Sequence, residues 1–249
     1  MISDKAKKKL ELGGVLYGAI SPTLDPTICE YLGIAGLDFY MIDGEHGPLD
    51  VANAIDMIRA CELYGISPWS RIRAVDEKLI LQYLDAGIVG VMMPSITNLQ
   101  QVHDLVNAIK YPPIGKRGLG PIRAGDYLAG SKNQLEYITY ANKSTLVFPQ
   151  MEDIACMDFL EDMLNVNGVD GIIIGPRDLA MSMGFFDGPA HSEVKEVIDE
   201  VFKRTKKAGK IIGTVAGNKD QAEILVQKGA QIILNSVQGL LTSAVRGFV

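Results

Sequence analysis

Short, uninterrupted apolar runs alternate along this chain with longer segments in which apolar residues recur every three or four positions. The short runs are GVLYGAI (14–20), FYMID, PWSRIR, VGVMMP, TLVFPQ, DGIIIGP, KIIGTV and QIILNSV. Each has the length of a strand, and their apolar residues run on continuously rather than alternating with polar ones. Such runs imply burial on both faces, as in a parallel sheet covered by helices. Between them DPTICEYLGIAG, VANAIDMIRACELYG, EKLILQYLDAG, NLQQVHDLVNAI, IACMDFLEDMLN, SEVKEVIDEVFKRTKKAG and KDQAEILVQKG read as helices, and PRDLAMSMG as a shorter one. Asp25-Pro26 opens one helix and Gly65 closes another, as helix start and stop signals require.

Eight strand–helix units in 249 residues, with no linker between them, predict a (β/α)8 barrel, a single domain over 1–249. An open doubly wound sheet would give the same local pattern. The barrel is preferred because no glycine-rich dinucleotide fingerprint follows the first strand. One segment breaks the rhythm. Residues 110–143, YPPIGKRGLGPIRAGDYLAGSKNQLEYITYANK with the lysine before it, are far longer than a connection of about 2 to 6 residues. This excursion before the fifth strand is read as a lid, a subunit contact, or both.

Composition narrows the picture only a little. The chain is 47% hydrophobic and 22% charged, which is ordinary for a globular protein. The net charge is −6 and no basic stripe is present, so no nucleic-acid partner is expected. Cys29, Cys61 and Cys156 are scattered and show no metal-site spacing. No apolar run reaches the roughly 18 residues that span a membrane. The N-terminal MISDKAKKKLELGG lacks the apolar core of a signal peptide. The expectation is a cytoplasmic protein that binds small molecules.

In a barrel the chemistry lies at the C-terminal ends of the strands. The second strand ends in Asp43-Gly44-Glu45-His46, and the third carries Arg71 and Arg73. The fifth ends in Gln150-Met151-Glu152-Asp153 and the sixth in Gly175-Pro176-Arg177-Asp178. Glu152 and Asp178, from adjacent strands, can converge on a hard divalent cation. Each taken alone reads rather as an acid at a helix N-terminus, and only together, on one face with a histidine and an arginine, do they favour the ligand reading. Arg71 and Arg73 alternate to the same side of their strand. An arginine there meets either a substrate carboxylate or Asp43 or Glu45 on the neighbouring strand. His46 is a candidate base, or else a histidine held by the acids beside it. No lysine stands at a strand end, so imine chemistry is not expected.

FYMIDGEHGPLD, SRIR with the later YLDAG, YPPIGKRGLGP, PQMED and GVDGIIIGPRDLAMSMG together resemble the metal-dependent (class II) pyruvate aldolases. That family includes 4-hydroxy-2-oxoheptanedioate and 2-dehydro-3-deoxyglucarate aldolases, and the resemblance spans nearly the whole chain. It implies a (β/α)8 barrel whose last helix is exchanged between subunits, assembled as a homohexamer of paired trimers. By position, Glu152 and Asp178 match the metal carboxylates, His46 the catalytic histidine, and Arg71 the arginine that binds pyruvate. Asp85, otherwise read as a helix-end residue, matches an aspartate that reaches a neighbouring subunit's site and pairs with the histidine. Gly175 and Pro176 match backbone at the substrate carboxylate, with Gln150 beside them as a further substrate contact. Asp43 and Glu45 then support either a water on the metal or the arginine.

The implied activity is cleavage of a 4-hydroxy-2-oxo acid into pyruvate and an aldehyde, with Mg²⁺, Mn²⁺ or Co²⁺ as cofactor. The proton of the C4 hydroxyl goes to His46 or to a water on the metal. Decarboxylation, acyl-thioester chemistry at the same site, and a non-catalytic barrel are the alternatives. Three departures bear on the substrate rather than the metal: Arg73 replaces a usual proline, Ser236-Val237-Gln238 replaces Gly-Val-Asp, and Pro149 replaces an aliphatic residue.

Overall fold

A computed structural model describes residues 3–48 and 50–249. The first two residues of the MISDK segment and Leu49 of the GPLD turn lie outside the described residues. Eight parallel strands close into a barrel in sequence order: β1 (Leu16–Ser21), β2 (Phe39–Asp43), β3 (Ser67–Arg71), β4 (Gly90–Met93), β5 (Leu146–Met151), β6 (Gly171–Ile174), β7 (Ile211–Val215) and β8 (Ile232–Ser236), which pairs back with β1. All eight strands expected from the sequence are present, and the fold is a (β/α)8 barrel.

Eleven α-helices accompany them among the described residues: α1 (Lys5–Glu11), α2 (Pro26–Ile34), α3 (Val51–Tyr64), α4 (Glu77–Ala86), α5 (Leu99–Ile109), α6 (Gln134–Ser144), α7 (Leu160–Asn165), α8 (Pro176–Ser182), α9 (Ser192–Lys207), α10 (Lys219–Lys228) and α11 (Val237–Phe248). Asp25, Asp50, Asp76, Asn98, Asn133 and Asn218 accept backbone N–H bonds at their N-termini, which fixes where each begins. The segment read as one helix after β5 is instead a short 3₁₀ turn, Ile154–Asp158, followed by α7. None of these helices is long and apolar enough to cross a membrane.

Strand parity assigns the side chains. Tyr40 and Ile42 face outward into the shell between sheet and helices, whereas Phe39, Met41, Trp69, Met92, Leu146, Phe148 and Ile173 fill the barrel. Phe39 stacks on Trp69 at 4.1 Å, and Trp69 on Phe148 at 5.5 Å. Gly18 and Gly90 leave the room: a Cβ on either would lie within 2.4 Å of the Phe39 or Trp69 ring. The same parity carries Asp43, Arg71 and Gln150 to the inner rim, one layer above these rings. The register sets Asp43 directly opposite Arg71. The strand ends at Arg71, so Arg73 does not share its face as expected; it lies beyond the strand and is exposed.

The excursion of 110–143 also differs from one of its two expected roles. Tyr111, Ala124 and Tyr137 pack with Leu10, Leu16, Val89 and Leu146, at the strands' N-terminal ends. Lys110 is buried and donates to the carbonyls of Asn142 and Thr145 at 2.9 and 2.5 Å. Arg117 lies over the Tyr111 ring and bonds Asp85 at 2.8 Å. Arg123 bonds Glu62 and the Ala86 carbonyl at the C-terminal ends of α3 and α4. Helices run opposite to the strands, so these partners lie under the barrel. The excursion closes that end and is no lid over this chain's own mouth.

At the other extreme of packing, α11 buries only Val237. Leu240, Leu241, Val245 and Phe248 are exposed, Phe248 to 91%. Beside α11 runs an apolar groove of about 500 Å³ lined by Tyr17, Leu37, Ala222 and Ile233, along β1 and β8.

Candidate active site

The mouth of the barrel is a cavity of about 540 Å³ lined by Arg71, Gln150, Gly175, Pro176, Arg177 and Asp178 on one side and by Gln221, Asn235 and Ser236 on the other. The expected site residues fall into two contact groups, Asp43 with Arg71 and Glu45, and Gln150 with Glu152. Arg71 Nε and Nη2 donate to the two carboxylate oxygens of Asp43 at 3.0 and 2.6 Å. Nη1 meets Glu45 Oε2 at 3.0 Å. Burial works against the Arg71 charge, but Asp43, Glu45 and Glu152 hold the proton on more firmly than usual. Burial likewise opposes ionisation of Asp43. The Arg71 guanidinium and the N–H groups of His46 and Glu45 outweigh it and hold the carboxyl below its ordinary value. Asp43 and Glu45 thus both hold the arginine. Two of the five guanidinium N–H donors are hydrogen-bonded to Asp43, and Nη1 is ion-paired with Glu45.

Glu152 is only 7% exposed. Its Oε1 accepts the Ser95 N–H at 2.6 Å, and its Oε2 the Gln150 amide. Burial pushes its carboxyl up to about 7, and the charges of Glu45 and Asp178 push the same way, against Ser95 and Arg71. Gln150 is buried, and its Oε1 has no partner. Ser95 escaped the sequence reading. Its backbone is left-handed, with φ 55°, and what it contributes is an N–H. Only Pro94 before it hints at a turn.

A cation fits this donor set. Asp178 lines the cavity and lies within electrostatic reach of Glu152 behind it, and Glu152 keeps lone pairs beyond its two accepted bonds. Gly175 holds the space open: a Cβ there would stand 2.6 Å from Gln150 Nε2 and 3.0 Å from Glu152 Oε2. Among the described residues no three His, Cys, Asp or Glu side chains gather into a cage. Two carboxylates with water and ligand oxygens are nevertheless the usual manner of holding Mg²⁺.

His46 and Asp85 stand apart. The His46 side chain is 67% exposed, with Nε2 3.9 Å from Glu45 Oε2. Asp85 lies at the far end of α4, tied through Oδ1 to Arg117. Within one chain the two do not meet. No lysine lines the cavity; Lys210 bonds the Val169 carbonyl under the barrel.

Comparison with known proteins agrees with this geometry. The family model described as HpcH/HpaI aldolase/citrate lyase matches residues 17–244. The 2-keto-3-deoxy-L-rhamnonate aldolase of Escherichia coli K12 is 31% identical over 244 residues, 98% of this chain and 90% of that one. The crystal structure of an HpcH/HpaI aldolase from Desulfitobacterium hafniense superposes with a TM-score of 0.90 at 28% identity, covering 97% of this chain and 94% of that one. The citrate synthase SbnG superposes with a TM-score of 0.84 at 25% identity, covering 98% of each. The chain belongs to the HpcH/HpaI aldolase/citrate lyase family and is a carbon–carbon lyase.

Proposed function

We propose that this lyase cleaves a 4-hydroxy-2-oxo acid into pyruvate and an aldehyde and depends on a divalent cation, Mg²⁺, Mn²⁺ or Co²⁺, held by Glu152 and Asp178. The observation that carries the reading is the strand-end cavity lined by Arg71, Gln150, Gly175 and Asp178, with Glu152 buried behind it against the Gln150 amide. The cation, when bound, supplies Lewis-acid stabilisation of the enolate that C3–C4 cleavage produces. Arg71, fixed by two hydrogen bonds to Asp43 and an ion pair with Glu45, turns its remaining donors to the 2-oxo oxygen as charge develops there. Its orientation is set before the substrate arrives, so little is spent on reorganisation. The backbone at Gly175 and Pro176 and the Gln150 amide position the carboxylate end. His46 takes the C4 hydroxyl proton as the C3–C4 bond breaks, and the enolate is then protonated at C3 to pyruvate. Because Asp85 lies far from its own chain's mouth, its partner histidine belongs to a second copy.

The exposed apolar residues of α11 and the apolar groove along β1 and β8 match in character. We read the last helix as exchanged within a homohexamer whose whole 1–249 chain forms one catalytic barrel. The test of the reaction is pyruvate release from a panel of 4-hydroxy-2-oxo acids with each cation. Cleavage that survives excess EDTA, or that survives Glu152→Ala, removes the cation from the mechanism. The likeness to a citrate synthase keeps a second reading, condensation or decarboxylation through the same enolate. Turnover of oxaloacetate or an acyl thioester with no reaction of any hydroxy-oxo acid would favour it.

A further inference from the structure

The charges lining the mouth do not balance one another evenly. Arg71 is held by Asp43 and Glu45. Asp178 is the proposed cation ligand, and no other carboxylate or ammonium lines the cavity wall outside it. Arg177 is different. It lines the same cavity, is exposed to it, and has no ion pair or hydrogen bond among the described residues. It follows Pro176 and precedes Asp178 in the first turn of α8. A guanidinium has donors only, so Arg177 cannot ligate a cation and is left for an anion. It shares the mouth with Pro189, Val215, Gly217, Gln221 and Asn235. These neighbours are neutral and half apolar.

We infer that Arg177 is a specificity-determining residue that selects aldehydes carrying an anionic group. The assignment rests on the aldolase reading above. With the 2-oxo acid end engaged by Arg71, Gln150 and Gly175, the remainder of the substrate extends outward along the wall that Arg177 borders. A guanidinium offers a planar pair of donors that fits a carboxylate or a phosphate monoester. A neutral aldehyde leaves it merely solvated. The side chain touches the substrate far from the bond that breaks, so its effect falls on binding of the acceptor.

The test uses the full-length protein with Mn²⁺ and pyruvate. Succinic semialdehyde and glyceraldehyde 3-phosphate serve as the carboxylated and phosphorylated acceptors, propanal and glyceraldehyde as their neutral counterparts. The wild type is expected to favour at least one anionic acceptor, and which one identifies the anion. Arg177→Gln is expected to lower the anionic-to-neutral ratio of kcat/KM about tenfold or more, chiefly through KM. Arg177→Lys should recover part of the loss. The wild-type KM for the anionic acceptor should rise with added salt while that for the neutral one stays level. A ratio that moves less than about twofold in Arg177→Gln overturns the assignment, as does a wild type indifferent to acceptor charge. Exchange of the pyruvate C3 protons into D₂O is read in parallel. Exchange with an unmoved ratio removes only Arg177's role. Absence of both exchange and adducts removes the aldolase reading and this assignment together.

Discussion

At Glu152 burial, two neighbouring carboxylates, an arginine and a backbone N–H act on one carboxyl, and the balance favours the proton up to about pH 7. A carboxyl whose pKa rises on folding stabilises the native state fully below its unfolded value, near 4.5. That contribution is lost as pH rises through about 7. With EDTA present, Glu152→Gln should therefore be more stable than the wild type at pH 8, by at most on the order of 3 kcal/mol. The difference should fade toward pH 5, and Mn²⁺ should reverse it by stabilising the wild type alone. Urea denaturation at both pH values decides this; a difference independent of pH refutes the balance. Asp43 and Arg71 were legible at this scale because strand parity alone places them at the rim. Ser95 was not, since a left-handed backbone donor leaves no mark in a side-chain pattern.

Among the elements, the strands were legible as continuous apolar runs and most helices through their caps. The 110–143 excursion was legible as an insertion, but its destination was not. Tyr111 and Tyr137 are as apolar under a barrel as over one, and only the Arg117–Asp85 and Arg123–Glu62 contacts show which end it closes. The last helix is the converse case. Leu241, Val245 and Phe248 are exposed among the described residues, and burying three such side chains contributes about 1.5 to 3 kcal/mol each. A chain shortened after Ser236 is expected to lose the hexamer by sedimentation while the intact 27.0 kDa chain keeps it. A shortened chain that still sediments as six copies would refute the exchange.

For the whole molecule, the distance between His46 and Asp85 becomes a statement about assembly. If each active site joins His46 of one copy to Asp85 of the next, His46→Ala and Asp85→Ala are each nearly inactive alone. Mixed and allowed to exchange subunits, they should regain about a quarter of wild-type activity, the fraction of random pairings that carry both groups. No recovery after exchange verified by native mass spectrometry would place both residues outside a shared site. The sequence reaches this pairing only by resemblance, because a contact between chains has no period or spacing within one chain.

The stacked rings that fill the barrel also give the protein an optical property. Trp69 is the sole tryptophan, fully buried between Phe39 and Phe148 and two residues below Arg71 on the same strand. All of the tryptophan emission therefore originates from one point on the barrel axis, next to the chemistry. A spectrum taken at 295 nm excitation observes neither the excursion nor the exposed last helix. It reports only whether the eight strands are still closed around that ring.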